Sequence, residues 1–401
     1  MWSALQHAAA GACGFVRRHR RLVTATGVAA LCVGGAYYAY KRVLSEAERF
    51  TTQLQKQMQE HQRLQLSLAS TTEESSATIQ RFLPRLKKTL YALVDLEAIV
   101  QELKTLGKTG DKSRRNALWE NAKITAVTRY FTALIAFGLW HLLVFAQIAI
   151  IGKRTFEKNR EGDAAKGASD AEEQKALQAQ HEFLASGLEY FLSEGIERIK
   201  KHVESVVVAN EQLQTWEVSH KLKVERDELN DLLQEIYLAT IPPQSGEMNE
   251  ETEKAHALWR SFLIYPDKKA GQSEHVISLL NDLWDLLESD LFGPALQHSL
   301  GFLCGNAFQD LNEVVYGITT RLVVEEEVDL HTQGQQKKPS PPLAKLIPAL
   351  QTEINKLLTN SGHESYLVKY SQGVCEMEAF RGFYEAIFFQ QDGGEMLPQL
   401  I

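Results

Sequence analysis

The sequence predicts an all-α protein, and three observations carry that reading. Apolar residues recur at spacings of three and four over most of the chain, no stretch alternates apolar and polar residues as a strand does, and one long segment, Leu118 to Gly152, is apolar all the way round. Between Tyr130 and Gly152 there is no Asp, Glu, Lys or Arg, and the polar Thr132, His141 and Gln147 share no single helical face. A helix of this kind must be surrounded. Its surroundings are either the other helices of a large bundle or lipid, because its 23 residues exceed the roughly 30 Å of hydrocarbon in a bilayer. Periodicity leaves both open. The expected architecture is a single large bundle of long helices around this central one, with a transmembrane anchor at the N-terminus.

Residues 1–21 form a short segment closing on Arg17, Arg18, His19, Arg20 and Arg21. The stretch 22–40, LVTATGVAALCVGGAYYAY, carries no charged side chain, would span about 28 Å as a helix, and is followed by Lys41 and Arg42. Tyr37, Tyr38 and Tyr40 suit an interfacial aromatic belt, which favours a single-pass anchor over a cleaved signal. The basic cluster ahead of it would by charge bias keep the N-terminus cytosolic.

Residues 41–76 read as a solvated helical stalk, with Phe50, Leu54, Met58 and Leu64 too sparse for a coiled-coil seam, ending in a Thr/Glu/Ser break at 71–76. From 77 to 401 a helical domain is expected. Its first helix repeats Ile79, Phe82, Leu83, Leu86, Leu90, Leu93, Val94, Leu96 and Val100, tolerates Pro84 in its opening turns, and closes at Leu106 and Gly107. The central helix is expected to start near Asn116 as its cap, with Glu120 near the positive end of its dipole and Trp119 near its mouth. Polar loops are expected near 158–175, 241–254 and 325–340. Between them lie helical blocks at Leu184–Val208, Leu213–Leu238, His275–Leu291 and Ala295–Val324, followed by Pro341–Leu358 and Phe380–Phe389.

A net charge of −8 argues against nucleic acid as the main partner, and 44% hydrophobic with 23% charged residues is ordinary for a folded protein. Cys13, Cys32, Cys304 and Cys375 have no metal or disulfide-scaffold spacing and read as reduced thiols. Gly107-Lys108-Thr109 lacks the upstream glycine of a phosphate loop, since Glu102 holds that slot. No metalloprotease, nucleophile-elbow or dinucleotide motif occurs, and Glu325 and Glu327 read as solvated charge. His141 invites a functional reading, but a core imidazole bonded to a nearby carbonyl is the plainer account. The chain therefore reads as a membrane-tethered docking protein, not an enzyme, with no cofactor and no small-molecule substrate.

Specific blocks then point to a family. LWENAKITAVTRYF with the apolar run behind it, ESDLF from Glu288, PPLAKLIPAL from Pro341 and FYEAIFF from Phe383 resemble, in order, the peroxisomal biogenesis factor three (peroxin three) family. The resemblance covers essentially the whole chain. It implies a protein of the peroxisomal membrane whose Arg17, Arg18, Arg20 and Arg21 belong to a targeting segment, whose 22–40 helix sits in peroxisomal lipid, and whose helical body lies in the cytosol. In that family the short N-terminus faces the matrix and the apolar central run is the buried middle of the bundle. The partner it implies is peroxin nineteen, the soluble chaperone and import receptor for peroxisomal membrane proteins, which offers an amphipathic helix to an apolar groove. The groove positions implied here are Trp119 as anchor, with Leu118, Arg115, Ala122 and Leu106 beside it, and Pro342, Lys345 and Ile347 as the second wall. Ala122 is smaller than the Leu usual in the family, and the insertions at 158–175 and 241–254 are departures. For Trp119 a core aromatic covering the helix end is the rival reading. A general organelle tether, or an inheritance or autophagy adaptor, would use the same anchor and body through another surface.

Overall fold

The computed structural model of the chain describes residues 20–107, 111–161, 170–241, 250–265, 273–317, 340–360 and 365–389, with the backbone alone for 20–40, 43, 45, 47, 159–161, 170–171 and 251–252. The described residues are helical with no strand, so the chain is all-α. The helices are α1 (Arg20–Leu93), α2 (Leu96–Leu106), α3 (Lys112–Glu161), α4 (Asp170–Tyr190), α5 (Ile196–Ala209), α6 (Glu211–Thr215), α7 (Arg226–Thr240), α8 (Glu250–Leu263), α9 (Glu274–Glu288), α10 (Phe292–Tyr316), α11 (Leu343–Leu357), α12 (Leu367–Glu376) and α13 (Glu378–Phe389). Two compact units are distinguished, Met1–Leu66 and Ser67–Ile401.

In the first unit, the described side chains of the stalk are exposed, Phe50, Leu54 and Met58 among them, except Leu64, which is half-buried. Arg17 and Arg18 lie outside the described residues, as do the side chains of Arg20 and Arg21.

The second unit is built on α3. Tyr130 to Ile150 are buried without a gap, and α2, α4, α5, α9, α10, α11 and α13 pack against this helix. The all-round apolar pattern is thus accounted for by protein: every face of α3 meets another helix. Two of its polar residues find partners, while the Thr132 hydroxyl is buried without one among the described residues. Gln147 Nε2 donates to Phe183 O at 3.0 Å. His141 Nδ1 stands 2.8 Å from Phe137 O and Nε2 2.9 Å from Ser371 Oγ. Complete burial pulls the imidazole pKa down to about 4, so at neutral pH the ring is uncharged, donating from one nitrogen and accepting at the other.

Several boundaries differ from those the sequence suggests. The expected break at 71–76 is helix, because Thr71 Oγ1 donates to Ser67 O at 2.9 Å and Ser75 Oγ to Thr71 O at 2.7 Å, which satisfies both hydroxyls inside α1. Pro84 sits inside that helix and not in its opening turns. The expected single helix from Ile79 to Leu106 divides at Asp95, whose carboxylate caps α2 by accepting from Ala98 N–H at 2.8 Å. Gly107 ends α2 at φ 55°, a conformation suited to glycine. The Leu213–Leu238 block likewise divides. After α6, residues 216–225 are non-helical, and α7 starts behind a reciprocal Glu225/Glu228 capping box. The 158–175 loop is shorter than expected, since α3 runs to Glu161 and α4 begins at Asp170. Helix α8 occupies sequence read as loop up to Lys254 and unassigned beyond it. Ser340 apart, the 325–340 loop, with Glu325 and Glu327, lies outside the described residues.

Between α4 and α5, residues Phe191–Gly195 form a π turn. A side chain at Gly195 would collide with the Phe262 carbonyl, so α8 packs directly against this turn.

Candidate functional site

The mouth of α3 is set by Asp111, not Asn116. The Asp111 carboxylate accepts from Ser113 N–H at 2.9 Å and its carbonyl from Arg115 N–H at 3.0 Å, which starts the helix at Lys112 and places Asn116 inside it. Glu120 consequently lies beyond the first turn and serves a tertiary role: its Oε1 accepts from Val218 N–H at 2.6 Å.

Two sets of bonds show which elements end together. About one third of the way along α3, Arg129 is buried and forks onto the break after α1 and onto α2: Nε donates to Val94 O at 2.8 Å, and Nη1 and Nη2 donate to the Glu97 carboxylate at 2.8 and 2.5 Å. Gln351 of α11 donates to the same carboxylate at 2.8 Å. Glu97 is held below the usual carboxylate range chiefly by the Arg129 bonds. From this level Leu106 is nine residues along α2, Trp119 ten residues back along α3 and Pro342 nine residues back along α11, each roughly 13–15 Å away at helical rise.

The second set of bonds shows that these three ends meet. Lys123, nearly buried, donates from Nζ to Leu213 O at 2.9 Å and to Trp216 O at 2.7 Å, and pairs with Glu120 Oε2 at 2.7 Å. Residues 216–225, fixed in this way to α3, are fixed at their other side to the start of α11: Val224 N–H donates to Pro341 O at 2.9 Å and Leu343 N–H to Lys221 O at 3.1 Å. Arg114 closes the remaining side with a 2.6 Å ion pair to Glu102 of α2. The end of α2, the start of α3, the 216–225 strap and the start of α11 thus form one end of the unit.

Six of the eight positions implied for the groove reach the surface there. Trp119 is half-buried against the core, Leu106, Leu118, Arg115 and Pro342 are half-buried, and Lys345 is exposed. Ala122 and Ile347 do not reach it. Ala122 is fully buried and Ile347 is 4% exposed, so both are core residues beneath this end and offer no surface contact. The sequence reading missed the strap entirely: Trp216, Val218 and Val224 point into the core, Lys221 lies 5.0 Å over the Trp216 ring, and Leu222 is exposed. The signal that could have found it is the Glu225-x-x-Glu228 box, which starts a helix where the apolar periodicity runs on.

No group of three or more His, Cys, Asp or Glu residues among the described residues could hold a metal ion. The two described thiols are free; burial pushes Cys304 well up and Cys375 up to about 12, so both are protonated at neutral pH. In comparison with known proteins, no family model matches the chain and no curated protein matches it.

Proposed function

We propose that this chain is a docking receptor of the peroxin three type, tethered to the peroxisomal membrane by residues 22–40, which receives peroxin nineteen at the Trp119 end of its helical body and so serves the insertion of peroxisomal membrane proteins. The observation that carries the reading is the contrast along α3. From Tyr130 to Ile150 the helix is sealed, whereas at its mouth Leu118 and Trp119 stay partly open beside Leu106, Pro342 and Lys345. An amphipathic helix laid across this end would complete the burial that the bundle leaves unfinished, with Trp119 as the aromatic anchor such interfaces favour.

The resemblance of the sequence blocks suggests the partner, and the convergence of α2, α3 and α11 supports the Trp119 end as its site. Calorimetric titration of the full chain in detergent with the N-terminal helix of peroxin nineteen tests the proposal. Saturable one-to-one binding supports it, and absence of binding at every concentration overturns it.

A further inference from the structure

We propose that the 216–225 strap is a third wall of this docking face, and that the helix it receives carries an acidic flank; the inference rests on the docking reading above. Leu222 is one of the most exposed large apolar residues among the described ones, at 71%, yet it does not belong to a loose segment. Four residues before it Val218 is bonded to Glu120, one residue before it the Lys221 carbonyl is bonded to Leu343, and two residues after it Val224 is bonded to Pro341. Trp216, Val218 and Val224 turn inward while Leu222 turns out. A pinned segment that displays a leucine between the start of α3 and the start of α11 extends the apolar surface of Trp119 and Leu118 toward Pro342.

Charge selects the occupant. Most carboxylates of this end are engaged: Glu102 with Arg114, Glu120 with Lys123 and Val218, Glu217 with His220, and Glu228 with Lys221, while Glu225 accepts from Ser340 at 2.8 Å; Asp227, exposed at the start of α7, is an exception. Lys104, Lys112, Lys223 and Lys345 are exposed and enter no ion pair among the described residues. They come from α2, α3, the strap and α11 in turn, one from each element around the end. In a chain of net charge −8 this is a local basic rim around an apolar floor, and its complement is an amphipathic helix with Asp or Glu bordering its apolar stripe.

The test uses the full chain in detergent and the same peroxin nineteen peptide, comparing Leu222→Asp, the double variant Lys112→Glu/Lys223→Glu, and Trp119→Ala with the parent at two salt concentrations. Leu222→Asp is expected to weaken binding about tenfold with unchanged melting, since its side chain is solvated in the free protein. The double variant is expected to weaken binding at low salt and to flatten its salt dependence. If Leu222→Asp destabilises the chain, Leu222→Ser in the same assay takes its place. Parent-like affinity of the Leu222 variant together with loss of binding by Trp119→Ala would overturn the strap inference alone. Failure of the parent chain to bind would overturn the docking reading with it, and salt-independent binding by the parent would remove the acidic flank.

Discussion

Replacing Arg129 with methionine tests the junction that fixes three helices at one level. The guanidinium is fully buried, bonded to the Val94 carbonyl at the end of α1 and forked onto Glu97 of α2, and stacked 4.3 Å over the Tyr91 ring. Methionine fills most of the volume and provides no donor. The loss of the carbonyl bond costs about 1–1.5 kcal/mol, moderated because Val94 O also accepts from Leu96 N–H at 3.1 Å. Loss of the cation–π contact adds about 0.5–1 kcal/mol. Glu97 is 46% exposed and can turn to water, so its share is small, roughly 0.5 kcal/mol. The sum is about 2–3 kcal/mol, a fall in melting temperature of about 3–4 °C for a unit of this size.

Charge adds a pH signature. Glu97 has its folded pKa lowered, first of all by the Arg129 hydrogen bonds, so its contribution is present above the unfolded carboxyl pKa and lost as pH falls through the folded value. The gap between parent and Arg129→Met should therefore be widest at neutral pH and narrow below about pH 4. Denaturant unfolding from pH 7 down to pH 3.5 measures it. Equal stability at pH 7, or a gap that does not change with pH, would refute the reasoning.

Three further outcomes follow from other parts of the unit. His141 has a folded pKa depressed to about 4 by burial, so its neutral form stabilises the fold above the unfolded value near 6.5 and stability declines as pH falls from there to about 4; replacing it with Asn should remove up to about 3 kcal/mol of that decline, read from unfolding curves across the range. Gly195→Ala should cost about 1–3 kcal/mol by forcing a methyl against the Phe262 carbonyl, visible as a lower melting temperature and faster amide exchange in α8. Lys123→Met removes both donors to the α6–strap carbonyls and the partner of Glu120, and should lower stability by about 2–3 kcal/mol while speeding exchange over 213–224; exchange unchanged there would show that the strap is held by something else.

The fold class was legible because helical periodicity is strong wherever one face is buried, and α3 was legible as a segment that must be enclosed. What enclosed it was not, since helices and hydrocarbon leave the same apolar signature; the contacts of α3 with seven other helices decide for protein. Boundaries failed where local polar chemistry overrode periodicity. Thr71 and Ser75 looked like breakers but bond back to their own helix, whereas Asp95 and Asp111 cap new helices inside stretches read as continuous or as loop. Val218 and Leu222 fell in register with the α7 apolar face, which hid the strap, although Glu225 and Glu228 mark the true helix start. Of the groove positions, Trp119, Leu118, Arg115, Leu106, Pro342 and Lys345 gather at one end, while Ala122 and Ile347 are core residues, because proximity along a helix does not tell which side of a terminal turn faces its neighbours.

The proposed docking turns on Trp119, and one comparison tests it most directly: calorimetric affinity of the full chain for the peroxin nineteen helix, parent against Trp119→Ala, with circular dichroism on both. Loss of a central aromatic anchor predicts at least about 2 kcal/mol, roughly thirtyfold weaker binding, at unchanged helix content. Unchanged affinity would contradict the proposal, because the partly open mouth of the central helix would then have no role in docking.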